Sequence, residues 1–229
     1  MRYLVGNWKS HYTITQATAW LTLLDKASPH FNPELKVILS LPFTDLPEAN
    51  RFINQHPSGL QLAAQDVSAF PEGQHTGEVT AQMLSELVSY CIIGHSERRR
   101  MGETSDQVAL KARALQQRSI TPIICLDIPY LEEQVRELFN LQLSLSTCLL
   151  AYEPQDSIGT DNPQDPAIVN NVASQISFLT GTDTPILYGG SVTAQNCLDY
   201  VRQPSVAGLL VGGQSLSVNS FVNLINLLS

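Results

Sequence analysis

The stretch CLLAYEP, from Cys148 to Pro154, carries an uninterrupted apolar run directly into a glutamate, Glu153. Seven other runs share its form, being short, rich in Val, Ile, Leu and Ala, and free of polar–apolar alternation. They are RYLVGNW near residue 2, KVILSLP at 36, LQLAAQD near 61, YCIIGHS at 90, TPIICLD at 121, PILYGG at 185 and AGLLVGG at 207. Such runs favour strands that are covered on both faces, as in a parallel sheet.

Segments with helical periodicity separate most of these runs. TITQATAWLTLLDKA predicts a helix with Ile14, Ala17, Leu21 and Leu24 on one face, and SDQVALKARALQQR predicts another with Ser105 as its N-cap. YLEEQVRELFNLQLSLS and AIVNNVASQISFL have the same pattern. Eight strand–helix units without a Pro/Ser-rich linker predict an α/β fold, a single (β/α)₈ barrel domain over residues 1–229. A doubly wound sheet is the alternative, because the repeat alone does not close a barrel.

Composition excludes several function classes. The formal net charge is -8 and no Lys/Arg-rich stripe appears, which argues against nucleic acid as a partner. No run approaches the roughly 20 apolar residues that span a bilayer, and the N-terminus lacks the apolar core of a signal peptide. We therefore expect no membrane association and a cytoplasmic location. The four cysteines are far apart in sequence, which predicts reduced, buried thiols and neither a disulfide framework nor a zinc site.

Polar and glycine residues follow several of the predicted strands at their carboxyl ends. In a barrel these ends form one rim, where active sites lie. The residues are Asn7 and Lys9 after strand 1, His95 after strand 4, Glu153 after strand 6, Gly189-Gly190-Ser191 after strand 7 and Gly212-Gly213 after strand 8. Each alone is more often a solvated charge, a structural histidine or a turn. Their joint occurrence at one rim favours a functional site.

The residue types at this rim indicate a reaction. Glycine backbone after strands 7 and 8 allows N–H groups to approach a phosphate. Glu153 can remove a carbon-bound proton, and Lys9 can stabilise developing negative charge. Ser96 is expected to cap the helix after His95, whose N-terminal dipole disfavours imidazolium and leaves a neutral hydrogen-bond donor. No metal or dinucleotide motif appears, so we expect enediol chemistry on a small phosphate without a cofactor.

Six motifs resemble those of the triosephosphate isomerase family in order and spacing. They are GNWK, AAQDVSAFPEGQHTGEVT, CIIGHSERR, AYEPxxxIGT, ILYGGSV and LLVGGQSL, and they extend over essentially the full length. The resemblance implies interconversion of dihydroxyacetone phosphate and glyceraldehyde 3-phosphate. This family is itself a standard example of a Glu base and a neutral His beneath a closing loop.

The resemblance also implies a role for individual residues. Glu153 would be the base, His95 the electrophile and Lys9 the electrostatic stabiliser, with Asn7 beside Lys9 and Glu97 near the site. Gly159, Ser191, Gly212 and Gly213 match phosphate-binding positions. Gln65 and the loop through Thr76 match a segment that reaches into a second subunit, which implies a homodimer. No metal and no cofactor is implied.

The sequence departs from the family in the predicted lid. Where the family reads close to PVWAIGTGKTA after the base, the tryptophan is replaced by Asp156, and Asp161, Asn162 and Pro163 occupy the second hinge. The usual glutamate after strand 5, which lies near that tryptophan, is also absent, since the sequence there is Cys125-Leu126-Asp127-Ile128. We expect an active enzyme with weaker binding and some loss of the intermediate to methylglyoxal. The alternatives are a non-catalytic relative with a degraded lid and another aldose–ketose phosphate isomerase.

Overall fold

A parallel sheet forms the centre of the computed structural model, which describes residues 1–157, 160, 162–181 and 184–229. The strands are β1 (Arg2–Asn7), β2 (Leu35–Leu41), β3 (Leu60–Ala64), β4 (Tyr90–Ile93), β5 (Thr121–Leu126), β6 (Leu149–Tyr152), β7 (Ile186–Tyr188) and β8 (Gly208–Val211). Consecutive strands pair in parallel, and β8 pairs with β1. All eight predicted runs are therefore confirmed as strands, and the closed sheet confirms the (β/α)₈ barrel over the doubly wound alternative.

Two hydrophobic clusters explain why the strands lack polar–apolar alternation. One cluster takes one or two residues from every strand and fills the barrel interior, with Val5, Ile38, Ala63, Ile92, Ile123, Cys125, Leu149, Ala151, Leu187 and Leu210. The other joins the outer strand faces to the surrounding helices. Both faces of each strand are therefore covered, as in other parallel sheets.

Helices connect the strands on the outside of the barrel. Within the described residues they are α1 (Ile14–Ala27), α2 (Leu46–Gln55), α3 (Ala81–Leu84), α4 (Ser96–Arg100), α5 (Ser105–Gln116), α6 (Leu131–Asn140), α7 (Pro166–Thr180), α8 (Cys197–Val201) and α9 (Val218–Leu228). Short 3₁₀ turns lie at Ile128–Tyr130, Leu145–Thr147, Gln155–Ser157 and Gly213–Ser215. None of the helices in this part of the chain is long and apolar enough to cross a membrane.

Three local expectations about α1, α5 and α6 were wrong. The N-cap of α5 is Thr104, whose extended backbone precedes the helix and whose N–H donates to Gln107, so Ser105 is already helical. Ile14 is 50% exposed, because the buried stripe of α1 begins at Ala17 and includes Trp20. The helix predicted to run to residue 146 ends at Asn140, since Gln142 has a left-handed backbone (φ 55°).

The four cysteines (Cys91, Cys125, Cys148 and Cys197) are free and buried, as their sequence spacing predicted. Cys91 and Cys125 lie in strands, and Cys125 belongs to the barrel interior. Burial raises the pKa of both of these thiols well above its ordinary value. They therefore remain protonated and act as small apolar side chains.

The seam between β1 and β8 depends on a glycine. Gly208 pairs with Tyr3 across the seam, and the N–H of Tyr3 donates to the carbonyl of Ala207 at 3.1 Å. A Cβ atom on Gly208 would lie 2.2 Å from the carbonyl oxygen of Tyr3. Because this oxygen belongs to the backbone of β1, it cannot move without breaking the pairing of β1 with β8 that closes the barrel.

Replacing Gly208 by alanine should therefore destabilise the protein by about 2–3 kcal/mol or more, as over-packed interiors do. The measurement is the free energy of unfolding in urea. Gly181→Ala is a suitable control, because Gly181 ends α7 with a left-handed backbone but a Cβ there meets no atom within 4 Å. Gly181→Ala should lower the free energy of unfolding by only about 1 kcal/mol. Equal losses of unfolding free energy in the two variants would contradict the role of Gly208 in the seam.

Candidate active site

A cavity of about 220 Å³ lies at the carboxyl ends of the strands. It is lined by Asn7, Lys9, His95, Glu153, Gly189, Gly190, Ser191, Val192, Thr193, Leu210, Gly212, Gly213 and Gln214. Seven of the eight residues predicted for the site thus line one cavity, and the eighth, Gly159, lies outside the described residues. Val192, Thr193, Leu210 and Gln214 were missed, because no feature of their side chains distinguishes them in sequence.

Glu153 is held at the floor of this cavity by the end of β6. Its N–H donates to the carbonyl of Leu126 at 2.8 Å, which fixes the backbone to β5, and the residue is only 1% exposed. One carboxylate oxygen, Oε2, accepts the N–H of Ser96 at 3.3 Å, and the other, Oε1, lies 3.4 Å from Nε2 of His95. The carboxylate is therefore buried and has polar partners on both oxygens.

His95 is buried and is itself the N-cap of α4, so the prediction that Ser96 caps this helix was wrong. Ser96 is the first helical residue, and its N–H is free to reach Glu153. The Nδ1 atom of His95 accepts the N–H of Glu97 at 3.1 Å. Since a backbone N–H can only donate, Nδ1 must carry a lone pair, and the proton of the neutral ring lies on Nε2, facing Glu153.

Lys9 reaches the site with a strained backbone. Its φ of 53° lies in the left-handed region, which a non-glycine residue adopts only when its surroundings fix it there. Asn7 Oδ1 accepts the N–H of Lys9 at 3.0 Å, and the Gln65 side chain donates to the Lys9 carbonyl at 2.9 Å. At the other end of the side chain, Nζ lies 2.6 Å from Oε1 of Glu97.

Glu97 responds to this cation. Partial burial by itself raises the pKa of Glu97, but the hydrogen bond and charge of Lys9, with a smaller contribution from the charge of Arg100, lower it overall. Glu97 thus stays ionised and holds the ammonium group at the cavity wall. The sequence identified Glu97 only as a polar neighbour of the site, and the structure shows that it is the counter-ion of Lys9.

Gly189 makes room for the Glu153 side chain, and the pair Gly212–Gly213 leaves its backbone open to the cavity. A Cβ atom on Gly189 would lie 2.8 Å from Cγ of Glu153, so a larger residue there would displace the carboxylate. Gly212 faces the Lys9 side chain, with Cε 3.5 Å from the position of such a Cβ. Gly213 begins the 3₁₀ turn after β8, and a Cβ there would meet no atom within 4 Å. The backbone of this pair is therefore open to the cavity, as phosphate binding requires.

Comparison with known proteins assigns the family. The model of the triosephosphate isomerase family matches residues 2–228. The chain is 36% identical to the triosephosphate isomerase of Nostoc sp., with 98% of each chain covered, and 38% identical to that of Thermus thermophilus, with 98% of this chain and 97% of the relative covered. It is 37% identical to the triosephosphate isomerase of Corynebacterium diphtheriae, over 96% of this chain and 94% of the relative.

The chain belongs to the triosephosphate isomerase family. The resemblance inferred from the six motifs is thereby confirmed, and with it the expectation of an aldose–ketose isomerase. Among the residues that the structure describes, no three His, Cys, Asp or Glu side chains are grouped so that they could hold a metal ion.

One departure from the triosephosphate isomerase pattern has a structural counterpart. Asp127, which follows β5, is buried and accepts two backbone N–H groups, that of Ile128 at 2.8 Å and that of Gln155 at 3.2 Å. Burial raises the pKa of Asp127, although these two hydrogen bonds oppose the shift. Ile128 is half exposed, and Asp156 is exposed. The backbone of the segment after Glu153 is thus tied to the end of β5 by the Asp127 carboxylate.

The tautomer of His95 can be tested directly. At pH 7, ¹⁵N NMR should show Nδ1 as an unprotonated nitrogen and Nε2 as the protonated one, because the N–H of Glu97 occupies the Nδ1 lone pair. A His95→Gln variant identifies the signal. An imidazolium spectrum, or a proton on Nδ1, would show that this hydrogen bond is absent in solution.

Proposed function

We propose that Glu153, His95 and Lys9 catalyse the reaction of this family, the interconversion of dihydroxyacetone phosphate and D-glyceraldehyde 3-phosphate. The observation that carries the proposal is the placement of the Glu153 carboxylate, buried and 3.4 Å from Nε2 of His95, in the cavity that Lys9 also lines. A base, a neutral donor and a cation then surround one small substrate.

In this mechanism Glu153 removes the proton from the substrate carbon beside the carbonyl group. The electron pair of that C–H bond becomes the C=C bond of an enediolate, and the carbonyl oxygen takes the negative charge. Nε2–H of His95 donates to that oxygen, and Lys9 stabilises the charge across the cavity. His95 gives the Nε2 proton to that oxygen and takes up the proton of the neighbouring hydroxyl group, so that the negative charge moves to the second oxygen. Glu153 then returns its proton to the old carbonyl carbon, and the second oxygen becomes the new carbonyl. To reach the substrate, the carboxylate exchanges its hydrogen bond with the N–H of Ser96 for the substrate C–H.

The phosphate is proposed to lie at the open backbone after β7 and β8, beside Ser191, Gly212 and Gly213, with Gly159 from the segment that follows the base. The exposed backbone of the Gly212–Gly213 pair supports this placement. Bound there, the phosphate leaves the three-carbon skeleton over Glu153 and His95. A non-catalytic relative is less well supported, because Lys9 retains its counter-ion and Glu153 its buried position.

Removing the base tests the assignment. Glu153→Gln should lower kcat by about 10²- to 10⁴-fold, which is the usual contribution of a general base. The amide oxygen can accept only one of the two N–H groups that face the carboxylate, but a buried charge is lost at the same time, so the urea midpoint should change little.

The assay couples glyceraldehyde 3-phosphate formation to a dehydrogenase. Glu132→Gln on the exposed side of α6 is the matched control and should keep the parental kcat. A Glu153→Gln variant that retains more than half of the parental kcat would remove Glu153 from the mechanism.

We also propose that residues 1–229 act as one barrel domain and assemble as a homodimer in the cytoplasm. The loop from residue 65 to 80 supports a second copy as the partner. It contains no helix or strand, and at its tip Phe70 is 52% exposed and stacks on His75 at 4.6 Å. Gln65, at the base of the loop, donates to the carbonyl of Lys9, so docking of the loop would stabilise the strained backbone of Lys9. Buried free thiols support the cytoplasmic location.

A charged residue introduced in place of Phe70, at the tip of this loop, should separate the subunits. Phe70→Asp is expected to give a monomer in sedimentation velocity, with activity reduced because Lys9 loses its support. Phe178→Asp is the control, since Phe178 is 86% exposed on α7, and it should leave the oligomeric state unchanged. A dimer that persists in Phe70→Asp and after deletion of residues 71–75 would exclude this interface.

A further inference from the structure

The loop between β1 and α1, residues 8–13, contains two residues with a strained backbone, and we call it the lysine loop. Tyr12 has a φ of 74° and Lys9 a φ of 53°, both in the left-handed region. Other non-glycine residues of the described chain with such a φ lie at or shortly after the end of a helix, where this conformation is common; they are Ser28, Ser119 and Gln142. Lys9 and Tyr12 precede a helix, so helix termination does not explain their backbone.

The side chain of Tyr12 accounts for its backbone conformation. Its hydroxyl donates to the carbonyl of Leu216, and its ring meets that of Trp8 edge to face, with the ring centroids 4.8 Å apart. Trp8 is itself fully buried, and its Nε1–H donates to the carbonyl of Ser215 at 3.1 Å. A tyrosine keeps a left-handed backbone only when its surroundings hold it there, and here a hydrogen bond and a ring contact do so.

Both of these carbonyl groups belong to the turn that follows β8, residues 212–216, which we call the phosphate turn. The N–H of Ser215 donates to the carbonyl of Gly212 at 2.8 Å. The N–H of Leu216 donates to the carbonyl of Gly213 at 3.1 Å. Gly212 and Gly213 line the active-site cavity and form part of the proposed phosphate site. A displacement of Leu216 would therefore reach that site through the hydrogen bonds of the turn.

The two attachments to the phosphate turn lie on either side of Lys9 in the chain, at Trp8 before it and at Tyr12 after it. Lys9 is close to the same turn, since its Cε lies 3.5 Å from the position that a Cβ on Gly212 would take. The lysine loop is thus bound to the turn at two points, with the active-site lysine between them. Two points of attachment fix the separation between the lysine and the backbone N–H groups of the turn.

We propose that Tyr12 is a positioning residue for the isomerase reaction, whose hydroxyl attaches the lysine loop to the phosphate turn and keeps the turn in the arrangement that binds the substrate phosphate. The inference rests on the proposed function. Tyr12 is not among the residues that line the cavity, so it acts through Leu216 and not by touching the substrate.

Loss of this attachment should affect binding more than chemistry. Backbone N–H groups bind a phosphate best when they already point to it, because any rearrangement on binding reduces the affinity. Without the Tyr12 hydroxyl, one hydrogen bond between the lysine loop and the phosphate turn remains within the described residues, that from Trp8. Glu153 and His95 are held by β6 and β4, which do not depend on this attachment. The affinity for phosphate should therefore fall while the proton-transfer groups stay in place.

The first variant is Tyr12→Phe, which keeps the ring on Trp8 and removes the hydroxyl. The KM for glyceraldehyde 3-phosphate and the Kd of inorganic phosphate, measured by ³¹P NMR titration, should both rise about 2- to 10-fold, the range that one hydrogen bond can supply. The kcat should stay within about twofold of the parental value. Nε1 of Trp20 still donates to the Leu216 carbonyl at 3.1 Å, so no acceptor is left without a partner and the urea midpoint should change little.

Tyr90→Phe is the matched control. The hydroxyl of Tyr90 also donates within the protein, to Gln61 at 3.4 Å, but Tyr90 lies at the start of β4, the strand end away from the active site. This variant should leave the KM, the kcat and the Kd of inorganic phosphate unchanged. Equal rises of the phosphate Kd in Tyr90→Phe and Tyr12→Phe would contradict a specific role of Tyr12.

A second variant, Tyr12→Gly, separates the hydroxyl from the backbone, because glycine adopts the left-handed conformation without strain. Its phosphate Kd should be at least as high as that of Tyr12→Phe. Parental phosphate affinity in either variant would overturn the proposal, even if the urea midpoint falls, because Tyr12 would then have a structural role only. A lower kcat with unchanged KM in Tyr12→Phe would also overturn it. Absence of turnover in the parental enzyme would instead overturn the proposed function, and the phosphate titration would still test Tyr12.

Discussion

The hydrogen bonds between β1 and β8 are the constraint on which the rest of the structure depends. They close the sheet, and a closed parallel sheet places the carboxyl ends of all eight strands on one rim. Only then do Lys9 from one end of the sequence and Gly212 from the other become neighbours that line one cavity. The glycine at the seam, Gly208, allows this approach because a side chain there would meet the carbonyl of Tyr3.

Burial of the Glu153 carboxylate determines much of the local arrangement. A buried carboxylate is tolerated only when its oxygens have partners, and here the N–H of Ser96 and Nε2 of His95 supply them. The thiol of Cys125, raised in pKa chiefly by its own burial and then by the charge of Glu153, packs near the carboxylate without becoming a second anion. Gly189 leaves space on the opposite side. The site is therefore preorganised before any substrate enters.

The segment after Glu153 is attached at its two ends by different chemistry. At the β6 end, the Asp127 carboxylate accepts the N–H of Gln155. At the α7 end, tyrosine hydroxyls bind Gln164. The side chains of Asp156 and Ile128, which replace the tryptophan–glutamate pair of the family pattern, take no part in these attachments and are exposed to solvent. Apart from the bond of Tyr152 to the Gln164 side chain, these attachments are made to the backbone, so they depend little on which side chains the segment carries.

The fold was predictable because its signals are local. Eight apolar runs followed by helical segments identify the βα repeat, and the motifs GNWK, CIIGHSERR and AYEP place Lys9, His95 and Glu153, in that order, just after strands. Even so, a repeat cannot show whether the sheet closes, since closure depends on one pairing between residues about 200 positions apart, as at Tyr3 and Gly208. Helix ends were less predictable. Thr104 and Ser105 are both suitable cap residues, and which of them caps α5 depends on backbone angles that the sequence does not show.

The sequence by itself therefore determined the class of fold, the family and the residues of the candidate site, because each can be recognised from short segments of sequence. The tertiary structure decided how those residues act together. It placed Glu97 on the ammonium group of Lys9, gave His95 and not Ser96 the capping position, and put the hydroxyls of Tyr152, Tyr188 and Tyr200 on Gln164. These contacts join strands and helices far apart in the chain, and hydrogen-bond partners at such separations follow from the packing of the barrel and not from any local pattern.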